Sequence, residues 1–268
     1  MHKLLLTHPS GSTAEIYLNG AQVTSWVPAS GGQRLYLSEQ AVFEPGKAIR
    51  GGVPVVFPQF ADSGPLPKHG WLRLAEWSIE SRNGTSGVTL RTEETPASMS
   101  IWPHTYEARL RTTLEAESLE IALTVRNPGA EAFMFTSALH SYLAVEDVTR
   151  ASILGLYGIP YIDKTANRMI VKDDSHAVTI REETDRVYTG APRMVELTDG
   201  LSSIRISSSG FPDIVVWNPW ADKAAGISDM GERDYTKFLC VEAAVADGPL
   251  TLNPGETWEG IQRFEATR

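Results

Sequence analysis

The sequence has little cysteine and no long apolar run. Cys240 is the single cysteine among 268 residues, so it excludes an intramolecular disulfide and a zinc site built on several thiolates. No stretch approaches the ~20 consecutive apolar residues of a membrane helix. The apolar start of MHKLLLTHPSG is too short for the core of a signal peptide. These absences predict a cytoplasmic protein that does not associate with membranes.

Basic residues are in the minority. The chain carries 24 Lys and Arg against 33 Asp and Glu, a formal charge of -9, and this field repels nucleic-acid phosphates and anionic lipid headgroups. We therefore expect neither nucleic acid nor membrane as a partner. A hydrophobic share of 42% and a charged share of 21% exclude a disordered chain and predict a globular protein with a sizeable core.

The standard motifs for cofactors and nucleophiles are also absent. The sequence contains no GxGxxG, GxxxxGK[ST], GxSxG or HExxH, so nothing indicates dinucleotide binding, phosphoryl transfer, a serine nucleophile or a zincin. We predict neither a cofactor nor a metal. Candidate chemistry must come from ionisable side chains in unusual places.

Short segments of alternating or apolar character between turn residues predict antiparallel strands and hairpins. The clearest are AEIYLNGAQVTSWVP, WSIESRNGTSGVTLRTE, SLEIALTVRNPG, HAVTIREE, LSSIRISSSG and DIVVWNPW. Helical periodicity is scarce; a turn or a single helical turn is expected around residues 234–238. No Ser/Pro/Gly-rich linker divides the chain. The pattern predicts an all-β protein, a large antiparallel sandwich forming one domain over residues 1–268.

Two ionisable residues interrupt apolar runs. Glu242 lies in KFLCVEAAV and would share a strand face with Phe238 and Cys240, where apolar neighbours raise a carboxyl pKa towards neutrality. His140 lies in FMFTSALHSYLAV, and a histidine tuned near neutrality could complement Glu242 as acid or base. The alternatives are a solvent-facing or ion-paired glutamate and a hydrogen-bonded core histidine.

One segment is basic although the whole chain is acidic. Residues 47–73 hold four basic residues and one acid, Asp62, among many Gly and Pro residues that indicate ordered loop. Arg50, directly before two glycines, and Arg73 could bind a phosphate through their planar guanidinium groups. The alternative is that these cations neutralise nearby surface acids.

Three further residues could either belong to a functional site or have only a structural role. Asp185 in REETDRVYTG could accept hydrogen bonds from two sugar hydroxyls, or it could end a solvated strand. Trp217 in VVWNPW could stack on a sugar, although its apolar surroundings favour the core. Cys240 is expected to pack in the core because no base is evident beside it.

The segment IRGGVPVVFPQF (49–60), followed by GPLPKHGWLR (64–73), resembles the glucose-6-phosphate 1-epimerases, or hexose-6-phosphate mutarotases, within the aldose 1-epimerase superfamily. Further similar segments follow in the same order, so the resemblance covers nearly the whole chain. They are SALHSYLAV (137–145), LGLYGIPYIDK (154–164), TDRVY (184–188), DIVVWNPW (213–220) and FLCVEAA (238–244).

The resemblance implies a galactose mutarotase-like β-supersandwich that interconverts the α and β anomers of a hexose 6-phosphate, D-glucose 6-phosphate being the expected substrate. It implies that His140 is the general acid that protonates the ring oxygen. Glu242 would be the base that removes the proton of the C1 hydroxyl. The family's reaction uses no cofactor. The expected partner is a small sugar phosphate, and we expect the protein to be a monomer.

The resemblance also implies the substrate-binding residues. Asp185 matches the position that binds sugar hydroxyls, Arg50 and Arg73 match arginines associated with the phosphorylated substrate, and His69 matches the superfamily's second site histidine. Lys68 stands where the family commonly has glutamine, and this change bears on which sugar phosphate fits.

Three other functions are compatible with parts of this pattern. An aldose 1-epimerase of free sugars would use the cations structurally, and a noncatalytic carbohydrate-binding sandwich would bind without exchanging anomers. A purely structural protein would leave His140 and Glu242 without a purpose.

Overall fold

The structure is a computed structural model that describes residues 1–172 and 174–267, and these residues fold mainly into antiparallel strands. In chain order the strands are β1 (Lys3–Thr7), β2 (Thr13–Tyr17), β3 (Gln22–Val27), β4 (Val55–Val56), β5 (Ser78–Asn83), β6 (Gly87–Glu93), β7 (Glu107–Leu114), β8 (Ser118–Arg126), β9 (Phe133–Leu139), β10 (Tyr142–Ala144), β11 (Ser152–Leu154), β12 (Pro160–Asp163), β13 (Met169–Lys172), β14 (Ala177–Thr179), β15 (Thr184–Tyr188), β16 (Met194–Thr198), β17 (Ser203–Ser209), β18 (Asp213–Asn218), β19 (Phe238–Leu252) and β20 (Thr257–Thr267).

The described strands form three antiparallel sheets. A small sheet has the order β1-β2-β3. An eight-stranded sheet has the order β13-β12-β15-β18-β19-β9-β4, with β10 also paired to β19, and a nine-stranded sheet has the order β14-β11-β16-β17-β20-β8-β7-β6-β5. Apolar side chains from all three sheets meet in one hydrophobic core. The predicted antiparallel β architecture is confirmed.

Strand β19 is buried on both faces of the eight-stranded sheet. Val241 and Ala243 point into the main core, whereas Cys240 and Ala244 belong to separate clusters on the opposite face. Because side chains alternate along a strand, Glu242 lies on the face of Cys240 and Ala244. Burial on both faces explains why the run FLCVEAAV contains no polar residue except this glutamate.

His140 lies in the two-residue gap between β9 and β10. Its backbone N–H donates to the carbonyl of Pro54 at 3.0 Å, and β10 resumes at Tyr142, which pairs with Cys240 of β19. The rings of His140 and Tyr142 stack with centroids 4.9 Å apart, so the two side chains lie on the same face of the sheet. This outer face of the eight-stranded sheet carries both candidate proton-transfer residues.

Helices are short and few, as predicted. The helical turn expected around residues 234–238 is a 3₁₀ helix at Asp234–Thr236. Two helices were not predicted, α1 (Pro96–Ile101) and α2 (Trp220–Ala224), because neither is long enough to show a helical period. A capping box between Thr95 and Ser98 starts α1. In the described part of the chain, no helix is long and apolar enough to cross a membrane.

Gly70 fixes the loop that carries His69. Its φ is +61°, and a Cβ there would lie 1.9 Å from the carbonyl oxygen of Phe57, to which the neighbouring Trp71 N–H donates at 3.0 Å. We expect Gly70→Ala to lower the free energy of unfolding by ~2–5 kcal/mol, since backbone strain adds to a clash that the sheet edge cannot relieve. Urea unfolding measures this change.

Gly84 provides a matched control for Gly70. It has almost the same φ, +60°, but no atom lies within 4 Å of its Cβ position. Gly84→Ala should therefore show only the cost of the left-handed backbone conformation, about 1 kcal/mol. Equal losses in the two variants would contradict the importance of the Phe57 contact.

Candidate active site

A cavity of about 480 Å³ opens on the outer face of the eight-stranded sheet. It brings together every residue that the sequence predicted for the site: Arg50, Lys68, His69, Arg73, His140, Asp185 and Glu242. These residues come from loops and strands that are distant along the chain. Their placement around one cavity agrees with the predicted site, while their individual roles stay predictions.

His140 and Glu242 form a close pair in this cavity. His140 Nε2 lies 3.4 Å from Glu242 Oε1, and their side chains are 12% and 2% exposed. Burial raises the pKa of Glu242 well above its ordinary value, and the nearby charge of Asp185 raises it further, against the opposing effect of Lys164. Among the described residues, Glu242 Oε2 has no hydrogen-bond partner.

The opposite pKa shifts of the two residues decide which of them more readily carries a proton. Burial, together with the charges of Arg50 and Arg73, lowers the pKa of His140 to about 3, so the proton resides preferentially on Glu242. Moving it to His140 leaves the total proton count unchanged. In either arrangement the pair offers one proton donor and one acceptor, which is what a proton-shuttling reaction requires.

His69 stands beside this pair. The rings of His69 and His140 meet edge to face, with centroids 5.4 Å apart. Burial lowers the pKa of His69 to about 2, and His140 and Arg73 lower it too, so His69 is neutral. Its Nδ1 faces the N–H of Ala61 at 3.4 Å, which leaves the proton on Nε2 as a donor for a ligand hydroxyl.

Two half-buried arginines line the cavity. Arg50 donates from Nε to Asp229 and from Nη1 to the hydroxyl of Tyr142, each at 3.0 Å. Arg73 donates from Nη2 to the carbonyl of Lys68 at 2.9 Å, and within the described chain its buried Nε has no partner. Lys68 is exposed. The cavity thus presents two guanidinium groups and one ammonium group, the side-chain types that bind anions.

The loop bearing Arg50 is fixed by a buried glutamine. Gln22 Nε2 donates to the carbonyls of Ile49 at 2.9 Å and Gly51 at 2.5 Å, on either side of Arg50. Gly52 has a φ of +61°, and a Cβ there would lie 2.2 Å from the carbonyl oxygen of Val23. The Gly-Gly sequence is thus required by close backbone approach.

Asp185 enters the cavity from β15. Its side chain is 16% exposed and lies 3.6 Å from Lys164 Nζ, so the interpretation as a solvated strand end is wrong. Burial raises its pKa, and Lys164 opposes that rise. Asp185 pairs with Trp217 of β18 across the sheet.

Trp217 was expected in the core, and the structure corrects this. The neighbouring Val216 points into the main core, so Trp217 lies on the outer face, half-buried, where it lines the cavity. Its ring meets that of His140 edge to face at 5.7 Å. Alternation along β18 places it there.

Sequence reasoning missed several aromatic and cationic cavity residues, namely Phe60, Tyr142, Lys164 and Lys223. Features of the sequence point to two of these residues. Tyr142 is two positions after His140 on the same face, and its ring stacks on that of His140 at 4.9 Å. Lys164 ends the segment LGLYGIPYIDK, which carries the family resemblance.

One group of side chains within the described residues could hold a metal ion. Ligand atoms of His140, Cys240 and Glu242 all lie within 4.8 Å of one another. Burial raises the pKa of the Cys240 thiol well above its ordinary value, which opposes formation of the thiolate that metals prefer. The same histidine and glutamate are the candidates for proton transfer.

Burial of Glu242 has a consequence for stability. Because its folded-state pKa is raised, the folded protein keeps a proton that the unfolded chain releases, so stability falls as pH rises above ~4.5. Glu242→Gln should remove this dependence. We expect the variant to have a higher Tm than the wild type at pH 8, by ~2–4 °C for each kcal/mol gained in the free energy of unfolding. At pH 4 the two proteins should have a similar Tm. A variant less stable at pH 8 would contradict the effect of burial; scanning calorimetry across this range measures it.

The cavity thus holds a closely spaced histidine–glutamate pair beside two half-buried arginines and an exposed lysine. The chain belongs to the aldose 1-epimerase family, whose family model matches residues 2–265. The protein is accordingly an isomerase of the mutarotase type.

Relatives and solved structures agree with this membership. Proteins named "Putative glucose-6-phosphate 1-epimerase" from Cenchrus ciliaris and Escherichia coli are 36% and 33% identical, over 97% and 91% of this chain and 83% of each relative. A crystal structure of "a putative mutarotase" from Salmonella typhimurium has a TM-score of 0.92 and 28% identity, covering 99% of this chain and 90% of that one. A galactose mutarotase related enzyme from Lactobacillus acidophilus, 15% identical, has a TM-score of 0.79 over 100% of this chain and 98% of that one. The predicted galactose mutarotase-like fold is confirmed.

Proposed function

We propose that this protein interconverts the α and β anomers of a hexose 6-phosphate, D-glucose 6-phosphate being the principal candidate. The observation that carries the proposal is the placement of the His140–Glu242 pair in the same cavity as Arg50, Lys68 and Arg73. The names of the relatives support the same substrate. The phosphate would bind the cations while the anomeric centre lies against the pair.

The reaction needs two proton transfers at the sugar. The reacting arrangement has the shared proton on His140. Glu242, as carboxylate, then takes the proton of the C1 hydroxyl while His140, as imidazolium, gives its proton to the ring oxygen, and the C1–O5 bond breaks to give the open-chain aldehyde. Rotation about C1–C2 presents the other face of the carbonyl. Reclosure reverses both transfers, so the pair returns to its starting state.

The cavity's charge favours a phosphorylated sugar. Five cationic side chains line it, Arg50, Lys68, Arg73, Lys164 and Lys223, against three acids, Asp62, Asp185 and Glu242. The chain as a whole has a formal net charge of -9, so the cavity has a local excess of positive charge in an acidic protein. Half-buried guanidinium groups with free N–H donors bind phosphate more strongly than an uncharged hydroxymethyl group.

Asp185 and His69 would orient the sugar ring. An ionised Asp185 accepts hydrogen bonds from two neighbouring hydroxyls, and neutral His69 donates one from Nε2. Both lie beside the proton-transfer pair, so they can hold C1 and O5 within reach of Glu242 and His140.

Exchange NMR of the anomeric protons tests the proposal. Glucose 6-phosphate and glucose are each measured with and without protein, in a buffer that does not catalyse mutarotation. We expect faster exchange for the phosphate ester. Acceleration of glucose alone would instead establish a free-sugar epimerase, and binding of glucose 6-phosphate without acceleration would establish a noncatalytic binding protein.

A further inference from the structure

Lys164 lines the candidate site beside Asp185. It follows β12, and its backbone N–H donates to the carbonyl of Asp185 at 2.8 Å. This bond continues the pairing of β12 with β15, in which Asp163 faces Arg186. The sheet itself therefore fixes Lys164 beside Asp185, whatever the side-chain charges are.

The side chain of Lys164 is held inside the cavity rather than extended into solvent. It is 18% exposed, and Nζ lies 3.6 Å from Asp185 Oδ2 and 5.5 Å from the ring centroid of Phe60. A partly desolvated ammonium group between a carboxylate and an aromatic face has lost much of its freedom. An ordinary surface lysine would keep that freedom.

The buried Glu242 and the largely buried Asp185 share this cavity, and Lys164 is the cation common to both. Asp185 and Glu242 repel each other when ionised, and Lys164 opposes the resulting rise in the pKa of each. Lys223 also acts on Asp185, but it is 44% exposed and pairs with Glu183 at 2.6 Å. Lys164 is thus the more desolvated cation beside this acidic pair.

We propose that Lys164 is a positioning residue of the site, which holds Asp185 ionised and oriented beside Glu242 so that Asp185 can receive hydrogen bonds from the sugar hydroxyls. The inference rests on the proposed function. It separates the cavity's cations into two groups: Arg50, Lys68 and Arg73 face the phosphate, whereas Lys164 serves the carboxyl groups.

The first test needs no substrate. Tm is measured from pH 4 to pH 8 for the wild type, Lys164→Met, Asp185→Asn and the double variant. Without Lys164 the folded state holds protons more tightly, so we expect the Tm deficit of Lys164→Met to grow as pH rises. Asp185→Asn should reduce that deficit in the double variant. A deficit that is the same at every pH, or unaffected by Asp185→Asn, would overturn the proposal.

The second test follows catalysis of glucose 6-phosphate exchange. We expect Lys164→Met to shift the acidic limb of the pH profile of kcat/KM upwards by at least one pH unit. At a fixed pH on that limb, this shift is a ~10-fold loss of kcat/KM. The loss should affect KM more than kcat. Lys164→Arg should restore most of the loss. Lys172→Met is the control, because Lys172 is 64% exposed on the adjacent strand β13 and lies outside the cavity.

The two tests distinguish the possible failures. An acid limb that does not move in a folded, active Lys164→Met variant overturns the positioning role. If the wild type does not exchange hexose 6-phosphate anomers, the proposed function fails, and the pH dependence of Tm still decides whether Lys164 holds Asp185 ionised.

Discussion

Glu242→Gln and His140→Asn should each lower kcat for anomer exchange by at least ~100-fold, since a positioned acid or base typically contributes 10²–10⁴-fold. Gln has the size of Glu but cannot take a proton, and Asn keeps a polar group at position 140 without a group that titrates. Exchange NMR at saturating glucose 6-phosphate measures the loss.

The structure provides the controls for this prediction. Because burial raises the pKa of Glu242, Glu242→Gln should lose activity while it gains stability at pH 8, so its loss cannot arise from unfolding. The double variant should be little slower than either single variant, because the two residues act as a unit. Folded variants with near-normal rates would exclude the proton-transfer roles.

The sequence predicted the strands well because their signal is local. Alternation and turn residues placed the hairpin of β2 and β3 and the strands β8, β17 and β18 close to their observed bounds. It did not predict α1 or α2, since helices of five or six residues carry no readable period. The capping box of α1 depends on side-chain geometry, and α2 has no side-chain cap.

The candidate site shows the same division between local and distant information. Glu242 and His140 stand out because each interrupts an apolar run, and strand alternation places both on the outer face. Lys164 could not be found in this way, since its proximity to Asp185 depends on the register between β12 and β15. Trp217 was expected in the core because it follows an apolar run, and a run buried on both sides hides the alternation.

Arg50→Ala should reduce kcat/KM for glucose 6-phosphate about 10- to 150-fold, the range that corresponds to losing a hydrogen bond to a charged group, while activity on glucose changes little. Arg50 already uses Nε for Asp229 and Nη1 for Tyr142, which fixes the plane of its guanidinium group. The remaining Nη2 donors can bind a phosphate oxygen without further ordering.

Two further variants show whether this effect belongs to the site. Lys47→Ala removes a cation of the same basic segment that is 59% exposed and pairs with Glu44, outside the cavity, so it should leave both substrates unaffected. Arg50→Lys keeps the charge but loses the planar group, and it should recover only part of the activity. Equal losses for glucose and glucose 6-phosphate in Arg50→Ala would show that Arg50 supports the structure of the site rather than the phosphate. A loss confined to the ester would place the specificity for phosphorylated sugars in the segment 47–73, whose basic character already contrasts with the acidic chain around it.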